Sequence, residues 1–255
     1  MKIRIISAAI GIPLLLAVLY IGGIVFKTTA ILISLVAIYE ILKAMRLINI
    51  VTILSTISSI LVVYFVPKEQ VLEYFSLIVF LNLLMTILIP KYSINEIGKT
   101  IFTFFYVAIP IYMLVSMYSV GNEEFVWLIL TIAFSSDTMA YFAGSYFGKH
   151  KLIPDISPNK TIEGSIGGII GAVIGGLIFN KIFLLMTNLQ MILLVAILGS
   201  IISQFGDLIE SKIKRQLKIK DFGNIIPGHG GIVDRLDSIL MLTVYMAIFI
   251  NTFNF

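Results

Sequence analysis

Residues 190–209 read QMILLVAILGSIISQFGDLI. The run is apolar apart from two glutamines, two serines and Asp207 near its end, and it matches the roughly 17–25 residues that a helix needs to cross a bilayer. A membrane span that finishes on an acid decides both the fold class and where chemistry is to be sought. An acidic side chain at the centre of a spanning helix costs about 2.5–3.5 kcal/mol on insertion scales, so acids kept near spans are functional candidates.

Eight further runs of this kind surround it, near Ile5–Phe26, Thr28–Met45, Ile50–Val66, Val71–Ile89, Thr100–Ser119, Phe125–Phe147, Ser165–Met186 and Ile232–Asn251. The second is the most polar, because Glu40 and Lys43 lie within it. Pro13 and Pro110 fall inside spans, where a kink is tolerated. The predicted fold is all-α: a polytopic membrane bundle of nine helices, N-terminus inside and C-terminus outside. It forms one membrane domain over 1–255, in which 1–120 supply N-terminal helices and 121–255 carry a cytoplasm-facing site.

Composition agrees. Of 255 residues 59% are hydrophobic and only 13% charged, against about a quarter charged in soluble domains. The mean hydropathy is +1.05. With no cysteine, disulfides, thiolate catalysis, Cys-ligated zinc and iron–sulfur clusters are excluded. The net charge of +4 is read as membrane topology, without a nucleic-acid partner, since no polar stretch is long enough to form a basic domain. Of the 18 Lys and Arg residues, nine spans leave only Lys27, Lys68 and Lys181 on outer segments. Adding or removing one early span would invert every later loop and destroy that asymmetry. Lys2 and Arg4 lead into a long apolar run with no clear small-residue cleavage site, so the first run is read as a span and not a signal peptide.

The seventh run repeats glycine at 167, 171 and 175, with Gly168 and Gly176 beside them. This bare stripe permits close helix approach, within the chain or as a homodimer face.

The acids gather at predicted inner ends: Asp137 in SSDTMAYFAG, Asp207, and Asp234 and Asp237 in GIVDRLDS. Two polar loops adjoin them. In GKHKLIPDISPNKTIEGS (148–165), Ser157, Asn159, Lys160, Thr161 and Glu163 precede a helix. Such a run suits either an anion at the helix N-terminus or an ordinary capping loop with Thr161 as N-cap. In SKIKRQLKIKDFGNIIPGHGGIVDRLDS (211–238), Ile209, Ile213 and Leu217 continue one apolar stripe, flanked by basic residues suited to the membrane surface. Pro227, Gly228, Gly230 and Gly231 then make a turn whose backbone can approach a ligand. His229 is open to metal, acid–base or phosphate-donor roles. With only His150 as a second histidine there is no zinc signature, which favours hydrogen bonding or a structural role. The carboxylates suit a hard, oxygen-ligated cation, most simply Mg²⁺.

The second loop closely resembles the signature of the phosphatidate cytidylyltransferases (CDP-diacylglycerol synthases). Ser211, Lys214–Arg215, Lys220–Asp221, His229–Gly230–Gly231, Asp234–Arg235 and Asp237 stand at the family's spacing. SPNKTIEG at 157–164 and SDTMAYFAG at 136–144 resemble two further family stretches, so the likeness covers roughly 125–240. Ser145 and Ile162 depart from it, where a basic residue and Trp are common.

The resemblance implies that CTP and phosphatidic acid become CDP-diacylglycerol and pyrophosphate at the bilayer. Mg²⁺ is the implied cofactor, with room for a monovalent cation such as K⁺. It also implies roles. Asp207 and Asp234 would be metal ligands, with Lys214, Arg215, Lys220, Asp221, Arg235 and Asp237 completing the catalytic set. Ser157, Asn159, Lys160, Thr161, Glu163, Ser211, His229, Gly230, Gly231 and Asp137 would contact or orient substrate. A phosphate monoester is already ionised at neutral pH, so the difficulty is bringing two polyanions together, and cations with positioning meet it. The alternatives are a CTP-dependent polyprenol kinase, which would release CDP, and an ion-coupled transporter using Asp137, Asp207 and Asp234.

Overall fold

The computed structural model describes residues 2–67, 70–89 and 92–253. Lys68, Lys91 and the side chains of Lys2 and Arg4, all used in the charge parse, lie outside the described residues. Helices dominate: α1 (Lys2–Ile21), α2 (Gly23–Ala44), α3 (Ile50–Phe65), α4 (Val71–Leu88), α5 (Ile94–Thr103), α6 (Ile109–Ser119), α7 (Glu123–Phe147), α8 (Ile162–Phe183), α9 (Leu189–Gln216) and α10 (Val233–Phe253). A π-helical turn, Phe104–Ala108, joins α5 to α6. It lies just before Pro110, which has no N–H to offer the carbonyl four residues earlier, and a widened turn accommodates that gap.

Among the described residues, seven helical stretches are long and apolar enough to span a bilayer, with α5, the π turn and α6 counted as one. The protein is therefore an all-α polytopic integral membrane protein. Among the described residues, α1 and α3 add the apolar stretches Ala9–Ile21 and Ile50–Ile60.

Three boundaries differ from the sequence reading for identifiable reasons. The first break falls at Gly22–Gly23 and not near Lys27, because both glycines take positive φ (64° and 51°), which ends one helix and starts the next. Helix α5 begins at Ile94, ahead of the predicted Thr100, because Ser93 and Glu96 form a reciprocal capping box. The loop before α8 holds a small antiparallel hairpin, β1 (Lys151–Ile153) and β2 (Ser157–Thr161). Short polar strands of this kind leave no periodic apolar signal.

The chain forms two compact units, Met1–Ser116 with Ile219–Arg235, and Met117–Lys218 with Leu236–Phe255. In the first, buried polar groups join helices: Asn82 accepts from Ser55 and Tyr92, and the Tyr92 hydroxyl meets Thr100. In the second, the glycine stripe of α8 is consumed within the unit. A Cβ on Gly171 would lie 2.5 Å from Met139 Cβ and 2.7 Å from the Ser135 carbonyl, and one on Gly175 would lie 2.7 Å from Ser135 Oγ. Gly168 and Gly176 face Gln204 and Ala196 of α9. These glycines serve intramolecular packing. Gly171→Val is expected to destabilise the second unit by about 1–3 kcal/mol through overpacking. Gly11→Ala, where a Cβ meets nothing within 4 Å, is expected to leave thermal unfolding in detergent unchanged.

Candidate active site

Helix α9 runs on past the apolar stretch to Gln216, so Asp207, Glu210, Ser211 and Lys214 lie on successive turns of one rigid element. Gly206 sets the approach of α10: a Cβ there would lie 2.5 Å from the carbonyl oxygen of Asp237. Because that position carries only hydrogen, the two backbones pack closely and the adjoining acids meet. Asp207, Glu210 and Asp237 each place a carboxylate oxygen within 4.8 Å of the others.

Like charges this close repel by about 4 kcal/mol per pair at 4 Å in a medium of effective dielectric 20. Basic groups answer part of that cost. Lys160, on β2, sets Nζ 2.5 Å from Asp207 Oδ2, and Lys214 Nζ lies 3.1 Å from Glu210 Oε2. Ser211 Oγ donates to Asp207 Oδ1 at 3.3 Å. Asp137, on α7, lies in the field of Asp237, Asp207 and Lys160. Three convergent carboxylates with a neighbouring hydroxyl are the donor set of a hard divalent cation, so the residues fit Mg²⁺.

The hairpin brings Lys160 to this place. Thr161 caps α8, its Oγ1 accepting from Gly164 N at 3.1 Å. Glu163 holds the hairpin base, accepting from the backbone N–H of Lys149 and His150 and pairing with His150 Nδ1 at 2.6 Å. Arg215 Nε reaches the Ile156 carbonyl at the hairpin turn. Thr161, Glu163 and Arg215 thus shape the loop. Ser157 and Asn159 make no side-chain hydrogen bond among the described residues; Ser157 is half-buried and Asn159 exposed.

The remaining candidates belong to the first unit. Lys220, Asp221, Asn224, Ile226, Gly228, His229, Gly230 and Arg235 line a cavity of about 430 Å³. Gly228 and Gly230 take φ of 78° and 89°, which L side chains rarely adopt. Backbone bonds from Ile226 N to Gly230 O and from His229 N to Ile226 O, both 2.9 Å, close the turn. His229 Nδ1 is buried with no hydrogen-bond partner among the described residues. Asp234 is buried, and its Oδ2 accepts from Phe222 N (2.9 Å) and Gly231 N (2.8 Å), clasping both ends of the loop.

Two acids are absent from the sequence-based candidates. Glu210 could have been found from its spacing, three residues after Asp207 on a helix that continues through it. Glu40 is 2% exposed and accepts from Val233 N at 3.1 Å, almost two hundred residues away in sequence. Its only linear signal was a carboxylate inside an apolar run.

Acids that gather basic side chains at the ends of membrane helices suit a class: an integral membrane enzyme that handles phosphates. Comparison with known proteins makes the class particular. The chain belongs to the cytidylyltransferase family, whose model matches residues 2–253. It is 36% identical over 251 residues to a protein of Staphylococcus epidermidis named phosphatidate cytidylyltransferase, covering 95% of this chain and 96% of that one. Proteins of the same name from Staphylococcus aureus and Staphylococcus haemolyticus are 35% and 33% identical over the same shares.

Proposed function

We propose that the chain is a membrane nucleotidyltransferase that joins CTP to phosphatidic acid, giving CDP-diacylglycerol and pyrophosphate for phospholipid synthesis. The observation that carries this reading is the meeting of Asp207, Glu210 and Asp237 with Lys160 and Lys214. The names of the relatives supply the substrates.

Asp207, Glu210 and Asp237 would hold Mg²⁺, with K⁺ as a further monovalent cation. A bound divalent ion supplies charge neutralisation for triphosphate and leaving pyrophosphate. The resemblance implies Asp207 and Asp234 as metal ligands, but Asp234 Oδ2 is committed to two backbone N–H groups. Glu210 and Asp237 are therefore the better companions. Lys160 and Lys214 neutralise carboxylates and can turn to phosphate when the substrates arrive. Lys220, His229 and Arg235, around the glycine turn, would bind nucleotide phosphates with help from nearby backbone N–H groups. The phosphate monoester of the lipid attacks the α-phosphorus as an ionised oxygen, needing position more than a base. Acyl chains stay in the bilayer throughout.

The distribution of Lys and Arg supports nine spans, an inner N-terminus, an outer C-terminus and a site facing the cytoplasm of a bacterial-type cell membrane. As the chain has no cysteine, single introduced cysteines report side without background. Lys218→Cys is expected to react with an impermeant maleimide only in inverted vesicles, and Leu184→Cys only in right-side-out ones; reversal would overturn the orientation.

Activity is tested with purified protein, labelled CTP, phosphatidate and Mg²⁺. CDP-lipid and pyrophosphate are expected, with chelation abolishing turnover and Mg²⁺ restoring it. Asp207→Asn and Asp237→Asn are expected to lower kcat by about 100-fold or more while the protein stays folded. CDP with a phosphorylated prenol would select the kinase, and uptake without nucleotide turnover the transporter.

A further inference from the structure

Glycines are usually explained by backbone conformation, yet two in the 219–235 segment are not. Gly228 and Gly230 need positive φ, whereas Gly223 and Gly231 do not. What a Cβ at either position would displace is the carboxylate of Glu40 of α2. A Cβ on Gly231 would lie 2.5 Å from both Glu40 carboxylate oxygens, and one on Gly223 would overlap Glu40 Oε1 and approach Cδ at 2.6 Å. The carboxylate is wedged between the two glycines. Its Oε2 accepts from Val233 N at 3.1 Å, and Oε1 is buried with no hydrogen-bond partner among the described residues. An acid so placed inside an apolar helix is costly.

We propose that Glu40 is a positioning residue for the nucleotide: through Gly223, Gly231 and Val233 it sets the loop on which Lys220, Asp221, His229 and Gly230 surround the cavity. Two carboxylates thus grip the loop, Asp234 at Phe222 and Gly231, Glu40 at Val233. Helix α1 adds a third hold, as Ser7 Oγ donates to the Pro227 carbonyl at 2.6 Å. The N-terminal helices α1 and α2 therefore act as the mould of a substrate-binding loop. The inference rests on the proposed cytidylyltransferase reading for its kinetic readout, but not for its structural one.

Full-length protein in nanodiscs is compared with Glu40→Gln, Glu40→Ala, Gly231→Ala and the Glu40→Ala/Gly231→Ala double variant. Glu40→Gln keeps the shape and an acceptor for Val233 N–H, so its KM for CTP is expected within about threefold of the parent's. Glu40→Ala and Gly231→Ala are each expected to raise that KM by about tenfold or more, with a smaller fall in kcat, since misplacing a binding group by an ångström can cost up to about 100-fold. Removing the carboxylate vacates the space a Cβ at 231 needs, so the double variant is expected to be no worse than about twofold beyond Glu40→Ala. Hydrogen–deuterium exchange across 219–235, without substrate, is expected to quicken in Glu40→Ala but not in Glu40→Gln. A parent-like KM and parent-like exchange in Glu40→Ala, or losses in the double variant that multiply, would overturn the proposal. If the parent makes no CDP-lipid but exchange still follows Glu40, the function fails while the grip on the loop stands.

Discussion

A carboxylate at the end of a membrane helix must be matched by positive charge, and the contact of Lys160 with Asp207 is where this protein meets that demand. Everything around it serves the match. The hairpin between α7 and α8 delivers this lysine from outside the helices. Thr161 caps the helix that follows, and Glu163 ties the hairpin base to its backbone. Glu210 and Asp237 then crowd the same oxygen atoms, more negative charge than packing alone would gather. Carboxylates assembled at such electrostatic cost suit a cation, which is the role proposed for them.

Glycine is the second instrument, used chiefly as absence of volume. Gly206 brings the backbone of α10 against α9, and Gly167 and Gly171 bring α8 against α7. Gly223 and Gly231 leave room for the carboxylate of Glu40. Only at Gly228 and Gly230 is the backbone conformation itself the reason. Removing a Cβ gives the unfolded chain extra freedom that folding must take away, a cost of the order of 0.5–1 kcal/mol per residue in regular elements. Here it yields close approach where a charged group must be held.

Much of this was legible in the sequence and some was not, for physical reasons. Spans were visible because twenty-residue apolar runs have no other stable home. The signature residues after Ser211 were visible because glycine, proline and charge stand out against an apolar background. Asp207 and Lys160 were both recognised, but their pairing needs β2, whose five residues (Ser157–Thr161) carry no periodic signal. Asp234 and Asp237 looked alike in GIVDRLDS, yet one is buried as a backbone clasp and the other joins the acidic cluster. Three residues along a helix separate those environments, and local sequence does not distinguish them. Glu40 was hidden by distance, since its partners lie at the other end of the chain.

The central claim is that Asp207, Glu210 and Asp237 together form a divalent-cation site. Its most direct test is electron paramagnetic resonance of Mn²⁺ added to the purified protein without nucleotide. The result expected is a bound Mn²⁺ signal that Mg²⁺ displaces and that weakens by about 10–100-fold in affinity when any one of the three carboxylates becomes an amide. Mn²⁺ binding unchanged in Asp207→Asn, Glu210→Gln and Asp237→Asn would contradict it.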